Sequence, residues 1–155
     1  MLKETLQMLE NRQVNLHELA EILYDIQLKY HEHLTRDICE KQILKVLEKR
    51  EVQHAVMTGI ALDELAEKKL LPEPLQSIVE RDEPLYGIDE ILALSITNVY
   101  GSISLTNFGW LDKEKPGIIA RYNEKKEGVV HTFLDDILCA IIAAGAGRLA
   151  HSNKK

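Results

Sequence analysis

Six residues of this chain have the types and the spacing for metal-ion and phosphate chemistry. They are Asp89 and Glu90 ahead of the apolar run ILALSI, Asp112 and Lys115 in LDKEKPG, and the adjacent Asp135 and Asp136 in HTFLDDILCAII. Acids at a helix N-terminus gain about 0.3–1 kcal/mol from the helix dipole, which accounts for Asp89 and Glu90 without any function. The same account does not extend to Asp135 and Asp136, because the apolar pattern predicts their helix over roughly 129–151 and puts them more than a turn inside it. Adjacent helical residues point about 100° apart, so at least one of the two faces the interior or its rim. An unpaired carboxylate there costs several kcal/mol, which a metal ion or a fixed cation offsets. Hard oxygen ligands suit Mg²⁺, with Mn²⁺ as the other ion to consider. Lys115, beside a proline-fixed turn, is a compact point charge that can neutralise a phosphate.

Nearby polar residues carry less. His131 precedes Asp135 by four positions, but one histidine without a paired His or Cys does not point to zinc and reads as an orienting or surface group. Ser95, Asn98, Ser102 and Thr106 fall on one helical face and can line a polar groove or permit close helix packing; packing is the preferred reading. Phosphate-loop, dinucleotide and serine-elbow patterns are missing from the chain.

The elements that must position these residues are helical. Asn15 with Glu18 three positions on predicts a capping box, followed by a seam of Leu16, Leu19, Leu23, Ile26 and Tyr30 that packs either within the chain or against a second subunit. Thr35 predicts the next helix start, and residues 51–71 continue the helical period until Pro72 and Pro74 end it. A short helix over 75–81 and a turn at DEPLYG lead into a long helical segment from Ile88 to Trp110, with any irregularity near Gly101 and Gly109. The last helix follows the break at LDKEKPG. No period-2 strand pattern competes, so the expected fold is an all-α, single-domain helical bundle over 1–155 with a largely buried C-terminal helix.

With 155 residues, 45% of them hydrophobic and 28% charged, the chain has enough apolar surface for one core. A net charge of −6 without a basic stripe argues against nucleic acid as a partner. Cys39 and Cys139 fit small buried hydrophobes in a reducing cytoplasm, and the charged N-terminus does not read as a signal peptide. The uncharged stretch Ile91–Trp110 has the length of a membrane span but carries too many Ser, Thr and Asn residues to be one.

Three stretches resemble the phosphatidylglycerophosphatase A family, in particular its soluble branch of low temperature requirement C proteins. GIDEIL resembles the family's acidic pair at Asp89 and Glu90. LDKEKP resembles L-D-x-x-K-P at Asp112, Lys115 and Pro116, and EGVVHTFLDDILCAIIAAG resembles G-x(6)-D-D-I at Asp135 and Asp136. The resemblance spans 56–151 and leaves 1–50 as N-terminal helices outside it. It implies Mg²⁺-dependent hydrolysis of a phosphate monoester, namely phosphatidylglycerophosphate to phosphatidylglycerol. Asp89, Glu90, Asp112, Asp135 and Asp136 would hold the metal, and Asp135, Asp136 and Lys115 would act in catalysis. The expected setting is the cytoplasm, with transient contact to a membrane surface to reach a lipid headgroup. A non-catalytic, oligomeric helical module that keeps a metal-binding acidic cluster is the alternative.

Overall fold

Apolar residues recurring at three- and four-residue steps fold into nine α-helices among residues 1–152, the part of the chain that the computed structural model describes. In order they are α1 (Leu2–Asn11), α2 (Leu16–Gln27), α3 (Arg36–Leu47), α4 (Arg50–Glu67), α5 (Leu75–Glu80), α6 (Ile88–Thr97), α7 (Ser102–Glu114), α8 (Ile118–Asn123) and α9 (Leu134–Ser152). No strand occurs among the described residues, only an isolated bridge between Lys126 and Val129. Nor is any described helix long and apolar enough to cross a membrane.

The centre of the bundle is α9. Every residue from Leu134 to Gly147 is buried, and α2, α3, α4, α6, α7 and α8 all pack around it. A helix that is apolar on all sides has no solvent face to offer and must be enclosed. The predicted seam on α2 is used inside the chain: Leu19 and Leu23 are wholly buried, and Leu16 and Ile26 pack on the core. Tyr30 is exposed in a short 3₁₀ turn beyond the helix.

Two predicted caps are present, with Asn15 accepting from the His17 N–H at 2.9 Å and Thr35 from the Ile38 N–H at 3.2 Å. Glu18, expected to reciprocate, instead meets Arg121 at 3.0 Å. Helix α4 stops at Glu67, ahead of the prolines, because Lys69 turns into the left-handed region (φ +59°). The long segment from Ile88 divides at Gly101, whose φ of +87° is open to glycine at little cost, while Gly109 continues α7. Ser95 therefore lies on α6, Asn98 just beyond its end, and Ser102 and Thr106 on α7; all four are exposed, so the packing expected of them does not occur. The main correction concerns α9, which begins at Leu134 rather than near 129, so Asp135 and Asp136 lie in its first turn.

Candidate functional site

That first turn opens onto a pocket of about 280 Å³ between α6, α7, α9 and the loop 81–87. All six residues singled out by type and spacing line it: Asp89, Glu90, Asp112, Lys115, Asp135 and Asp136. Asp82 and Glu83 join them from the loop and Asn123 from the end of α8. Seven acidic side chains thus share the pocket lining with a single lysine.

Each contributor is placed by local geometry. Gly87 precedes α6 and puts Asp89 and Glu90 in its first turn. Asp112 sits in the last turn of α7, which Lys115 terminates in the left-handed conformation (φ +46°). That turn brings the lysine ammonium back over the helix end, 3.0 Å from Asp112 Oδ1 and 3.7 Å from Asp135 Oδ2. Asp82 and Leu85 also have positive φ values, +51° and +66°, in the tight loop before α6. Lys125 donates to the Arg81 carbonyl at 2.9 Å and fastens the 124–128 loop beside the pocket.

The electrostatics follow from crowding acids in a poorly hydrated place. Asp135 and Asp136 are only 5% and 4% exposed. Burial pushes the Asp135 carboxyl up to about 7; Lys115 and the Asp136 N–H hold it down, against Asp82 and Asp112. Burial, the charge of Asp135 and a proton shared with the Asp112 carboxyl push Asp136 up to about 10. Burial and Asp89 raise Asp82 as well. For Lys115, burial works to lower the ammonium's pKa, but the hydrogen bond to Asp112 and the charge of Asp135 outweigh it and hold the group above its ordinary value.

Whether this donor set suits a divalent cation can be tested on its chemistry. It is all oxygen, rich in carboxylates, and carries more negative charge than one lysine balances, which is the environment of a hard cation. Among the described residues, no three His, Cys, Asp or Glu side chains already stand at coordinating positions. Lys115 bridges Asp112 and Asp135 as the local counter-ion. The residues fit Mg²⁺ or Mn²⁺ in type.

Sequence reasoning missed Asp82, although its position seven residues before Asp89 in the turn DEPLYG was a usable signal. It also missed Asp63, a wholly buried acid on α4 whose carboxylate accepts the Phe133 and Leu134 N–H groups at 3.0 and 2.9 Å. Four-residue spacing of Gly59, Asp63 and Glu67 on an otherwise apolar helix face was the trace it left in the sequence. His131 lies outside α9 and packs against the Tyr122 ring with centroids 4.9 Å apart, away from the pocket lining.

The phosphatidylglycerophosphatase A family model matches residues 14–151, reaching N-terminal of the motif-bearing stretch to include α2 and α3. The uncharacterized protein YpjQ of Bacillus subtilis is 58% identical over 150 residues, covering 97% of this chain and 84% of that protein. The crystal structure of low temperature requirement C protein from Listeria monocytogenes superposes with a TM-score of 0.96 at 55% identity, covering 99% of this chain and 97% of the other. A structure from Bacillus stearothermophilus, described as a protein of unknown function, gives 0.95 at 54% identity over 99% and 95% of the two chains.

Proposed function

This chain belongs to the phosphatidylglycerophosphatase A family, and from that premise we propose that it is a divalent-metal-dependent phosphoric monoester hydrolase acting on phosphatidylglycerophosphate. The observation that carries the reading is the convergence of Asp89, Glu90, Asp112, Asp135, Asp136 and Lys115, from three separate helices and their ends, on one pocket. A purely structural use of these acids would leave several like charges crowded at the end of a buried helix, at a cost of several kcal/mol with no return in stability.

In this reading, Asp89, Glu90, Asp112, Asp135 and Asp136 hold Mg²⁺ or Mn²⁺. When bound, the ion offsets their charge and polarises the phosphoryl oxygens. Lys115, paired with Asp112 and Asp135, stabilises the negative charge that spreads over the phosphoryl oxygens as the ester bond breaks. Asp135, whose carboxyl burial pushes up to about 7 in the metal-free pocket, would be held ionised by the bound cation and serves as a ligand. Among the residues lining the pocket, Pro84, Leu85 and Tyr86 are apolar, and Leu85 is fully exposed. An exposed leucine held at positive φ beside a polar pocket favours a substrate whose phosphate is joined to an apolar body.

The assay is phosphate release by the purified protein from phosphatidylglycerophosphate and from a soluble phosphomonoester, with Mg²⁺ or with chelator. Release that needs the metal and is lost in Asp135→Asn and Lys115→Ala is the expected result. Release that survives chelation and both substitutions refutes the reading.

A further inference from the structure

Helix α4 turns one face toward the segment that launches α9. Gly59, Asp63 and Glu67 are four residues apart and so lie one above another on that face. At Gly59 the neighbours come so close that an added Cβ would stand 2.2 Å from Ile137 Cδ1 and 3.2 Å from Phe133 Cβ. Asp63 accepts the Phe133 and Leu134 N–H groups, one on each carboxylate oxygen. Glu67 Oε1 accepts the Val130 N–H at 2.9 Å, and its partner Arg12 donates to the Val130 carbonyl at 2.7 Å. Thr132 Oγ1 donates to the Val79 carbonyl at 2.6 Å.

These contacts supply the part of the cap that lies ahead of Asp135. The residue before α9 is Phe133, which has no side-chain acceptor, and the hydroxyl of Thr132 is engaged elsewhere. The Phe133 and Leu134 amides at the start of α9 are satisfied from a helix seventy residues away in sequence, while the Asp136 N–H is held locally by Asp135 Oδ1 at 2.8 Å. A dehydrated carboxylate is a costly way to achieve this, and Asp63 and Asp135 repel each other. An expensive group that places the first turn of a site-bearing helix is better explained by the placement than by stability.

We propose that Asp63 is a positioning residue for the acidic pocket: by holding the Phe133 and Leu134 amides from α4, it fixes where Asp135 and Asp136 stand relative to Asp112 and Lys115. This role rests on the metal-dependent reading of the pocket, in which carboxylate placement sets ion affinity. Asp63 does not line the pocket and touches neither ion nor substrate; it acts through the backbone of α9, as an outer-shell partner does.

The test is calorimetric titration of Mn²⁺ into the wild-type chain, Asp63→Asn and Val46→Ala. The last removes wholly buried volume in α3 and serves as a stability control. Thermal melts establish that each variant is folded. Removal of an outer-shell partner costs about 10–100-fold in metal affinity, so Asp63→Asn is expected to bind Mn²⁺ at least tenfold more weakly while Val46→Ala binds like wild type. Equal affinity in folded Asp63→Asn, or an equal loss in Val46→Ala, overturns the proposal. If the wild type takes up no Mn²⁺, the metal reading fails, and amide hydrogen exchange then decides the positioning role alone. Faster exchange at 133–136 in Asp63→Asn with α3 unchanged supports it, and unchanged exchange at 133–136 refutes it.

Discussion

Asp136→Asn keeps the shape of the side chain and removes its ability to ionise, so it isolates what the carboxyl costs the fold. Burial, the charge of Asp135 and the proton shared with Asp112 push Asp136 from 3.8 up to about 10. Between those values the folded chain binds a proton that the unfolded chain has released, so this group's contribution to stability falls as pH rises through the window. At about 1.36 kcal/mol per pH unit, the interval from 3.8 to 8 sets a ceiling of about 6 kcal/mol. Relaxation of the pocket and entry of water reduce it, to an expected stabilisation of about 3 kcal/mol for Asp136→Asn at pH 8. At about 2–4 °C per kcal/mol for a chain of this size, Tm rises by about 6–12 °C.

Near pH 4 the unfolded carboxyl keeps much of its proton and the gain should shrink below about 1 kcal/mol. Urea unfolding followed by far-ultraviolet circular dichroism, in chelator at pH 4.5 and pH 8, measures both limits. Saturating Mg²⁺ should then stabilise the wild type more than the variant, because only the native wild type keeps the full ligand set. An Asp136→Asn variant less stable than wild type at pH 8 without metal, or one with the same gain at both pH values, would refute the electrostatic reasoning.

Three further outcomes are expected. Burial and Arg12 push the His131 imidazole down to about 4, so the folded chain resists the proton that the unfolded chain takes up near 6.5. Stability from this residue is complete above pH 6.5 and is lost, by up to about 3 kcal/mol, as pH falls toward 4; His131→Phe should flatten that limb of a pH–stability profile. Gly59→Ala forces Ile137 from its place and should lower stability by about 1–3 kcal/mol in urea unfolding, whereas no loss would show that the α4–α9 contact yields freely. Leu85→Ser should raise KM for phosphatidylglycerophosphate severalfold and leave a soluble phosphomonoester unaffected, while equal effects on both substrates would remove Leu85 from substrate selection.

Local pattern made much of this protein readable. The three- and four-residue apolar steps of α2, the caps at Asn15 and Thr35, and the uniformly apolar run after Asp136 are properties of neighbouring residues, and they marked an all-α chain around a buried last helix. The acids and Lys115 were legible because their types stand out at the ends of apolar stretches. Where reading failed, a distant contact had overridden a local preference. The apolar residues Val129, Val130 and Phe133 continue a helical pattern, yet Glu67, Arg12 and Asp63 bind that backbone and delay the helix to Leu134. Asp135 and Asp136 are therefore first-turn residues at a pocket mouth, not carboxylates in the middle of a helix.

The membership of the pocket belongs to tertiary structure. Asp82 and Asp135 are remote in sequence, and nothing local in either records that the other's charge acts on it. Only the closure of α6, α7 and the 81–87 loop over the end of α9 crowds them together, excludes water and drives the carboxyls upward. Residue type supplied the acids; their desolvation and mutual repulsion, which make the pocket a place for a cation, arise from the fold.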